Sequence, residues 1–280
     1  MSIHKLQIIF KRLSAYIGLS LIAVMSLFPL YWTVATSFKQ KGHIFVIPPE
    51  WIPNPVSTQG YENLFRMIPF WHNFFNTVLV CVVVVIGQLL FNSMGAYAFA
   101  RLHFPGRDLI FLIYLATMMI PTQVTMIPLF ILIRTFGWIN TYWALIMPPL
   151  LFSAYGTFLM RQFFMTIPNE LEDAARMDGA NHFRIFFSIM LPLVRPALAT
   201  FGVFAFVYFW NDFTWPLVAI NSAKMKVLTT AIATMATGGY FTDWASLMAG
   251  ATLSVIPLMI LFFVAQREFV EGIVMSGLKG

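Results

Sequence analysis

The sequence predicts an all-α membrane protein of six transmembrane helices with both termini in the cytoplasm. Three observations predict it. Hydrophobic residues make up 59% of the chain, charged residues only 10%, and the apolar residues gather into six long stretches. Soluble domains carry about 25% charged residues. A charge at the bilayer centre costs roughly 2.5–3.5 kcal/mol on insertion scales, so charge is excluded over long stretches only where hydrocarbon replaces water. A spanning helix needs about 20 apolar residues, because ~1.5 Å per residue must cover ~30 Å.

The first stretch, residues 13–37, follows His4, Lys5, Lys11 and Arg12 and has the outline of a signal peptide. It is too long for one and lacks a small-residue cleavage site, so it reads as a retained span. The second, 74–100, ends in Gly95, Ala96, Ala98 and Ala100, small residues that let helices approach closely. The third and fourth cover 109–133 and 141–160, and the fifth and sixth 197–220 and 244–265. Pro29, Pro121, Pro128, Pro148, Pro149, Pro216 and Pro257 fall inside these stretches and predict kinks that neighbouring helices re-satisfy. Trp71, Trp138, Trp143, Trp215 and Trp244 lie near the ends, as an aromatic belt does. All of 1–280 then forms a single transmembrane domain, multi-pass in a lipid bilayer.

Orientation follows from the basic residues. With the N-terminus inside, one side holds Lys5, Lys11, Arg12, Arg101, Arg107, Arg161, Arg176, Arg184, Arg195, Arg267 and Lys279. The other holds Lys39, Lys41, Arg66, Arg134, Lys224 and Lys226. Eleven against six predicts N-in and C-in, which places the connection 161–196 in the cytoplasm.

The net charge of +6 comes from cations scattered through short loops, with no basic stripe interleaved with aromatics, so no nucleic-acid partner is expected. Cys81 lies in a run of valines as a small apolar filler. The histidines His4, His43, His72, His103 and His182 are far apart and predict no metal site. Gly272, Gly277, Leu278 and Lys279 imitate a phosphate-binding loop but lack the Lys-Ser/Thr pair and a preceding strand. No nucleophile–base pairing marks catalytic residues, so the chain is not expected to be an enzyme or to hold a cofactor of its own.

The connection 161–196 carries the chemistry. Thr166 reads as a helix cap, Pro168 as first turn, and Glu170, Glu172 and Asp173 complement the helix dipole. Gly179 is a C-terminal stop, and Asn181 caps a second short helix running to about Met190, which Pro192 ends. Leu171, Ala174, Ala175 and Asp178 share one face by i, i+3, i+4 spacing. That face, small and edged by acid, suits a groove on another protein. Helices resting on lipid carry bulky apolar residues opposite a basic face instead.

These residues resemble the cytoplasmic loop of ATP-binding-cassette importer permeases, whose signature reads Glu-Ala-Ala, three residues, Gly, nine residues, Ile, one residue, Leu-Pro. Here it falls on Asp173-Ala174-Ala175, Gly179, Ile189 and Leu191-Pro192 with every spacing kept. Asp173 departs from the Glu position, with Glu172 beside it as a compensating carboxylate. Residues 96–101 with Phe104-Pro105-Gly106-Arg107, then Trp210-Asn211-Asp212-Phe213 with Trp215-Pro216-Leu217, and terminal Gly277-Leu278-Lys279-Gly280 resemble the carbohydrate-uptake branch, typified by the second maltose-type permease subunit.

The resemblance implies a bacterial inner-membrane importer built from two homologous permease subunits, an ATPase dimer that binds ATP and Mg, and an extracytoplasmic solute-binding protein. It implies that Leu171, Glu172, Asp173, Ala174, Ala175, Met177, Asp178 and Gly179 form the coupling helix docked on the ATPase. It also implies that Lys279 and Gly280 reach the same partner. A sugar or oligosaccharide is the implied solute, with glycerol-phosphate-type solutes as the alternative. Gln88, Asn92, Gln123, Asn211 and Asp212 are candidate lining residues of the solute pathway. For Asp212 a structural hydrogen bond to another helix is an equal reading; for Gln88, Asn92 and Gln123 the interhelical hydrogen bond is the preferred one. The competing class is an ion-gradient-driven secondary transporter. Such proteins show inverted repeats or several intramembrane ionisable groups, and here Asp212 stands nearly alone.

Overall fold

The computed structural model of the protein describes residues 3–151, 153–236 and 243–277. Among these residues it is helix and turn, without a strand. In chain order the helices are α1 (Ile3–Ser37), α2 (Gln59–Met67), α3 (Phe70–Arg101), α4 (Arg107–Ala116), α5 (Thr122–Thr135), α6 (Tyr142–Leu150) and α7 (Ala154–Met165). Then come α8 (Glu170–Met177), α9 (His182–Ile185), α10 (Leu191–Leu193), α11 (Arg195–Trp210), α12 (Thr214–Ala219), α13 (Leu228–Ala233) and α14 (Trp244–Gly277).

Among the described residues four helical stretches are long and apolar enough to cross a membrane: Phe10–Ser37, Phe70–Arg101, Tyr142–Met165 and Trp244–Gln266. Two bent pairs raise the number to six if each pair is one span: Arg107–Met119 with Thr122–Thr135, at 99°, and His182–Leu193 with Arg195–Trp210, at 77°. The first bend falls inside the predicted third span; the second, at Val194, comes just before the predicted fifth, whose own helix is interrupted further along. The third breaks at Ile120, which is extended before Pro121; the proline ring disfavours the helical conformation for the residue preceding it. The fifth ends at Trp210 and restarts at Thr214. Between them stands Asp212, whose short carboxylate lies next to the first backbone N–H groups of α12, and such side chains compete with the helix ladder. Pro128 and Pro257, by contrast, stay inside α5 and α14.

The chain divides into two compact units, Met1–Pro69 with Ile232–Ile256, and Phe70–Ala231 with Pro257–Gly280. In the first, Tyr61 and Ser37 hydroxyls meet at 2.9 Å and Asn63 donates to Asp243 at 2.9 Å. Gly60 is needed there, since a Cβ would come within 2.9 Å of the Ala245 and Ser37 backbones.

In the second unit α3 is packed by α6, α7 and α11. Ala96 is fully buried, as its place in the small-residue run predicts. One core gathers Ala96, Tyr97, Met160, Phe164, Ala175, Ile185, Phe186 and Phe201, and another Val80, Val84, Leu145, Ile146, Ala219 and Val227. Gly156 lets α7 press against Phe201 and Asn92, whose atoms would lie 2.4 and 2.6 Å from an added Cβ. At the Phe70 end of α3, Asn73 donates to the carbonyls of Ala223 and Lys226, and Asn76 to those of Lys224 and Lys226. Thr77 accepts from the Leu228 N–H at 2.8 Å. Side chains of α3 thus fix the loop between α12 and α13.

Candidate functional site

The site is built where α3 ends. Arg101 closes the α3 helix and is only 8% exposed. A buried guanidinium has five N–H groups to place, and this one spends them on three segments. It donates to the carbonyl of Phe164 at 2.6 Å, to the carbonyl of Ile167, and to the side-chain oxygen of Asn169. Its Nε faces the Glu172 carboxylate at 3.3 Å. Glu172 is 4% exposed and its second oxygen accepts from Arg176, one turn along α8, at 3.3 Å. Arg101 therefore joins the end of α3 to the last carbonyls of α7 and to α8.

That arrangement changes the reading of several residues. Thr166 does not open α8; it closes α7, donating its hydroxyl to the Phe163 carbonyl at 2.8 Å. Asn169 stands at the N-cap, but its side chain is turned to Arg101 and makes no capping bond. The face assigned to Leu171, Ala174, Ala175 and Asp178 divides. Ala175 is buried in the core with Tyr97, Phe164 and Phe186. Glu172 points the same way, so it does not compensate for the shorter Asp173 on the outer face. At 100° per residue, positions 172 and 175 fall on one side of α8. Leu171, Asp173, Ala174, Met177, Asp178 and Gly179 remain exposed, Met177 at 88%.

The corner follows the predicted chemistry. Gly179 has φ +77°, the left-handed conformation that glycine adopts without a Cβ clash. Asn181 caps the next helix, its Oδ1 accepting from the Arg184 N–H at 2.9 Å. That helix does not end at Pro192. It passes through a π turn, Phe186–Met190, and Pro192 lies inside α10 before the chain turns at Val194. A widened turn is where a helix ladder absorbs an irregularity, and Pro192 supplies one by lacking an N–H.

Comparisons with known proteins identify the family. Residues 91–273 match the family described as binding-protein-dependent transport system inner membrane component. The chain belongs to that family. This permease is 37% identical over 268 residues to the arabinooligosaccharides transport system permease protein AraQ of Halalkalibacterium halodurans, covering 94% of this chain and 95% of the other. It is 34% identical over 275 residues to the sn-glycerol-3-phosphate transport system permease protein UgpE of Escherichia coli, covering 96% of each. Its fold is similar to a chain in the crystal structure of a bacterial ABC transporter involved in the import of the acidic polysaccharide alginate. There the TM-score is 0.81 at 25% identity, covering 92% of this chain and 96% of that one.

The five candidate pathway residues of the permease are not brought together on one surface. Gln88 is buried and donates to the Pro149 carbonyl at 2.7 Å. Asn92 is buried and accepts from the Ser153 N–H at 3.0 Å, with the Thr157 hydroxyl at 3.4 Å. Both tie α3 to the α6–α7 break. Gln123 and Asn211 are exposed, and Asn211 donates back to Val207 of its own helix at 2.8 Å. Asp212 lies at the α11–α12 break beside a narrow pocket lined by Thr77, Cys81, Phe209, Trp215 and Val227. Lys279 and Gly280 lie outside the described residues. Among the described residues no group of His, Cys, Asp and Glu is placed to hold a metal.

Sequence reasoning missed Arg101 and Tyr97 as parts of the site. The signal was available: Arg101 is a charge at the end of a 27-residue apolar run, inside a stretch already matched to the family.

Proposed function

We propose that the permease is one of two homologous membrane subunits of an ATP-driven sugar or oligosaccharide importer, and that α8 is its coupling helix, engaging a separate ATPase dimer. In this reading the chain is one transmembrane domain of six spans. They are α1, α3, α4 with α5, α6 with α7, α11 with α12, and α14, with both termini cytoplasmic. The distribution of Lys and Arg supports the orientation.

The observation that carries the reading is the two-sided character of α8. Glu172 and Ala175 anchor it to the bundle, while Leu171, Asp173, Ala174, Met177 and Asp178 face outward. An apolar edge of this kind calls for a covering surface. Its acidic residues are repelled by an anionic cytoplasmic leaflet, so a protein groove is the better cover. ATP and Mg then belong to the partner, where hydrolysis takes place. An extracytoplasmic binding protein delivers solute, as the family description implies. Lys279 and Gly280 join the ATPase contact by resemblance alone.

For the solute, the arabinooligosaccharide relative and the composition of the spans agree. None of the six apolar stretches contains Lys or Arg, and phosphate recognition depends on charge-assisted donors. The glycerol-phosphate relative supports a second reading with phosphorylated polyols. The test is co-expression with the partner permease and ATPase, followed by pull-down and ATP hydrolysis in proteoliposomes with the binding protein. The reading predicts capture of the ATPase and hydrolysis stimulated by oligosaccharides more than by glycerol 3-phosphate. Absence of ATPase capture by the wild-type chain would overturn the coupling assignment; stronger stimulation by glycerol 3-phosphate would overturn the sugar assignment.

A further inference from the structure

Three buried polar atoms at one junction lack hydrogen-bond partners among the described residues: Tyr97 Oη, Arg101 Nε and Glu172 Oε1. Arg101 Nε and Glu172 Oε1 stand 3.3 Å apart as an ion pair, but not in hydrogen-bonding geometry. Tyr97 lies one turn before Arg101 on α3, 4% exposed, its ring packed against Phe164 and Phe186. Tyr97 shares a buried core with Ala175 of α8. The other half of the junction is fully engaged, with the remaining Arg101 nitrogens on α7 and Asn169 and the second Glu172 oxygen on Arg176.

Buried donors and acceptors are rarely left unpaired, because each loses its water without compensation. Two at the Arg101–Glu172 contact, with a third one turn away on α3, mark an arrangement that a displacement of Glu172 would improve. The unpaired set also has matching chemistry: two donors, a phenol and a guanidinium Nε–H, and one carboxylate oxygen with free lone pairs.

We propose that Tyr97, Arg101 and Glu172 form a two-position contact. In the position described above, Glu172 is held by charge alone on its Arg101 side. When a partner displaces α8, Glu172 Oε1 moves to accept from both the Tyr97 hydroxyl and Arg101 Nε, and all three atoms are paired. The inference rests on the reading of α8 as the element a motor protein displaces. These are positioning residues, touching neither nucleotide nor solute. Their effect is to favour the displaced state, as packed interfaces with two discrete arrangements do.

Tyr97→Phe tests this, because it removes the hydroxyl and leaves the ring. The complete importer, with partner permease and ATPase, is reconstituted in nanodiscs and unfolded thermally with and without Mg and the non-hydrolysable nucleotide AMP-PNP. Without nucleotide the variant should melt at the wild-type temperature or above, since an unpaired hydroxyl has been removed. The stabilisation conferred by AMP-PNP should fall by half or more. ATP hydrolysis should drop at least about fivefold, the low end of coupling between sites. Glu172→Gln should weaken the nucleotide effect too, and adding Tyr97→Phe to it should change nothing further. An unchanged AMP-PNP shift would overturn the proposal. A lower melting temperature without nucleotide, or failure of Tyr97→Phe to assemble, would place the hydroxyl's bond in the resting state and overturn it equally. Loss of ATPase capture by the wild-type chain is a separate result and bears on the reading of α8 itself.

Discussion

The two ends of α3 are built from different chemistry. At the Phe70 end, neutral amides do the work: Asn73 and Asn76 each donate to two carbonyls of the loop before α13, and Tyr142 donates to Asn76 Oδ1 at 2.6 Å. At the other end, ionised groups meet. Arg101 and Glu172 hold three segments together, and three polar atoms stay unpaired. Asn73 Oδ1 is unpaired at the Phe70 end as well, but four amide-to-carbonyl bonds fix one arrangement there, because moving the loop breaks them all. Buried charges next to unpaired partners allow a second arrangement. One end of α3 is pinned and the other is poised to shift.

The contrast can be broken most violently at Arg101. Arg101→Ala leaves the buried Glu172 carboxylate with Arg176 as its one remaining ionic partner among the described residues and removes the guanidinium donor from the Phe164 and Ile167 carbonyls, a loss of about 3 kcal/mol. Thermal unfolding of the purified permease should show the largest drop of any single substitution at the junction. Ala174→Arg leaves that junction intact but fills the small outer face of α8. ATPase capture in pull-down should weaken by about 2 kcal/mol or more, with unfolding unchanged. Asn76→Ala sharpens the comparison at the pinned end. It should cost roughly 1–3 kcal/mol and raise hydrogen exchange across residues 221–228 while leaving ATPase capture alone. The smallest effect belongs to Gly179→Ala. An added Cβ meets nothing within 4 Å, so only the φ of +77° penalises it, by about 1 kcal/mol.

Much of this was legible in the residues. Long uncharged runs gave an all-helical chain with four to six candidate membrane spans, and Gly179 and Asn181 declared a corner and a cap that the structure contains. The breaks in spans three and five were not legible, because a proline such as Pro128 is absorbed within its helix whereas Pro121 ends one; the neighbours of each decide the outcome. The orientation of α8 was misread for a related reason. Spacing groups Leu171, Ala174, Ala175 and Asp178, yet helical periodicity alone cannot say which residues face the bundle. Arg101, 71 residues earlier than Glu172, decides that Glu172 and Ala175 turn inward. Thr166 closes α7 instead of capping α8, and Asn169 at the N-cap makes no capping bond because its side chain is taken by the same guanidinium.

The central claim is that the outer face of α8 rests on a cytosolic motor protein, and Met177 reports on it most directly. The chain's single cysteine, Cys81, is buried in α3, so Met177→Cys adds one accessible thiol for a photoactivatable label. In membranes containing the assembled importer, illumination should join this position to the ATPase, and Mg with AMP-PNP should change the yield. Labelling only from the extracytoplasmic side, or adducts with lipid alone, would contradict the account.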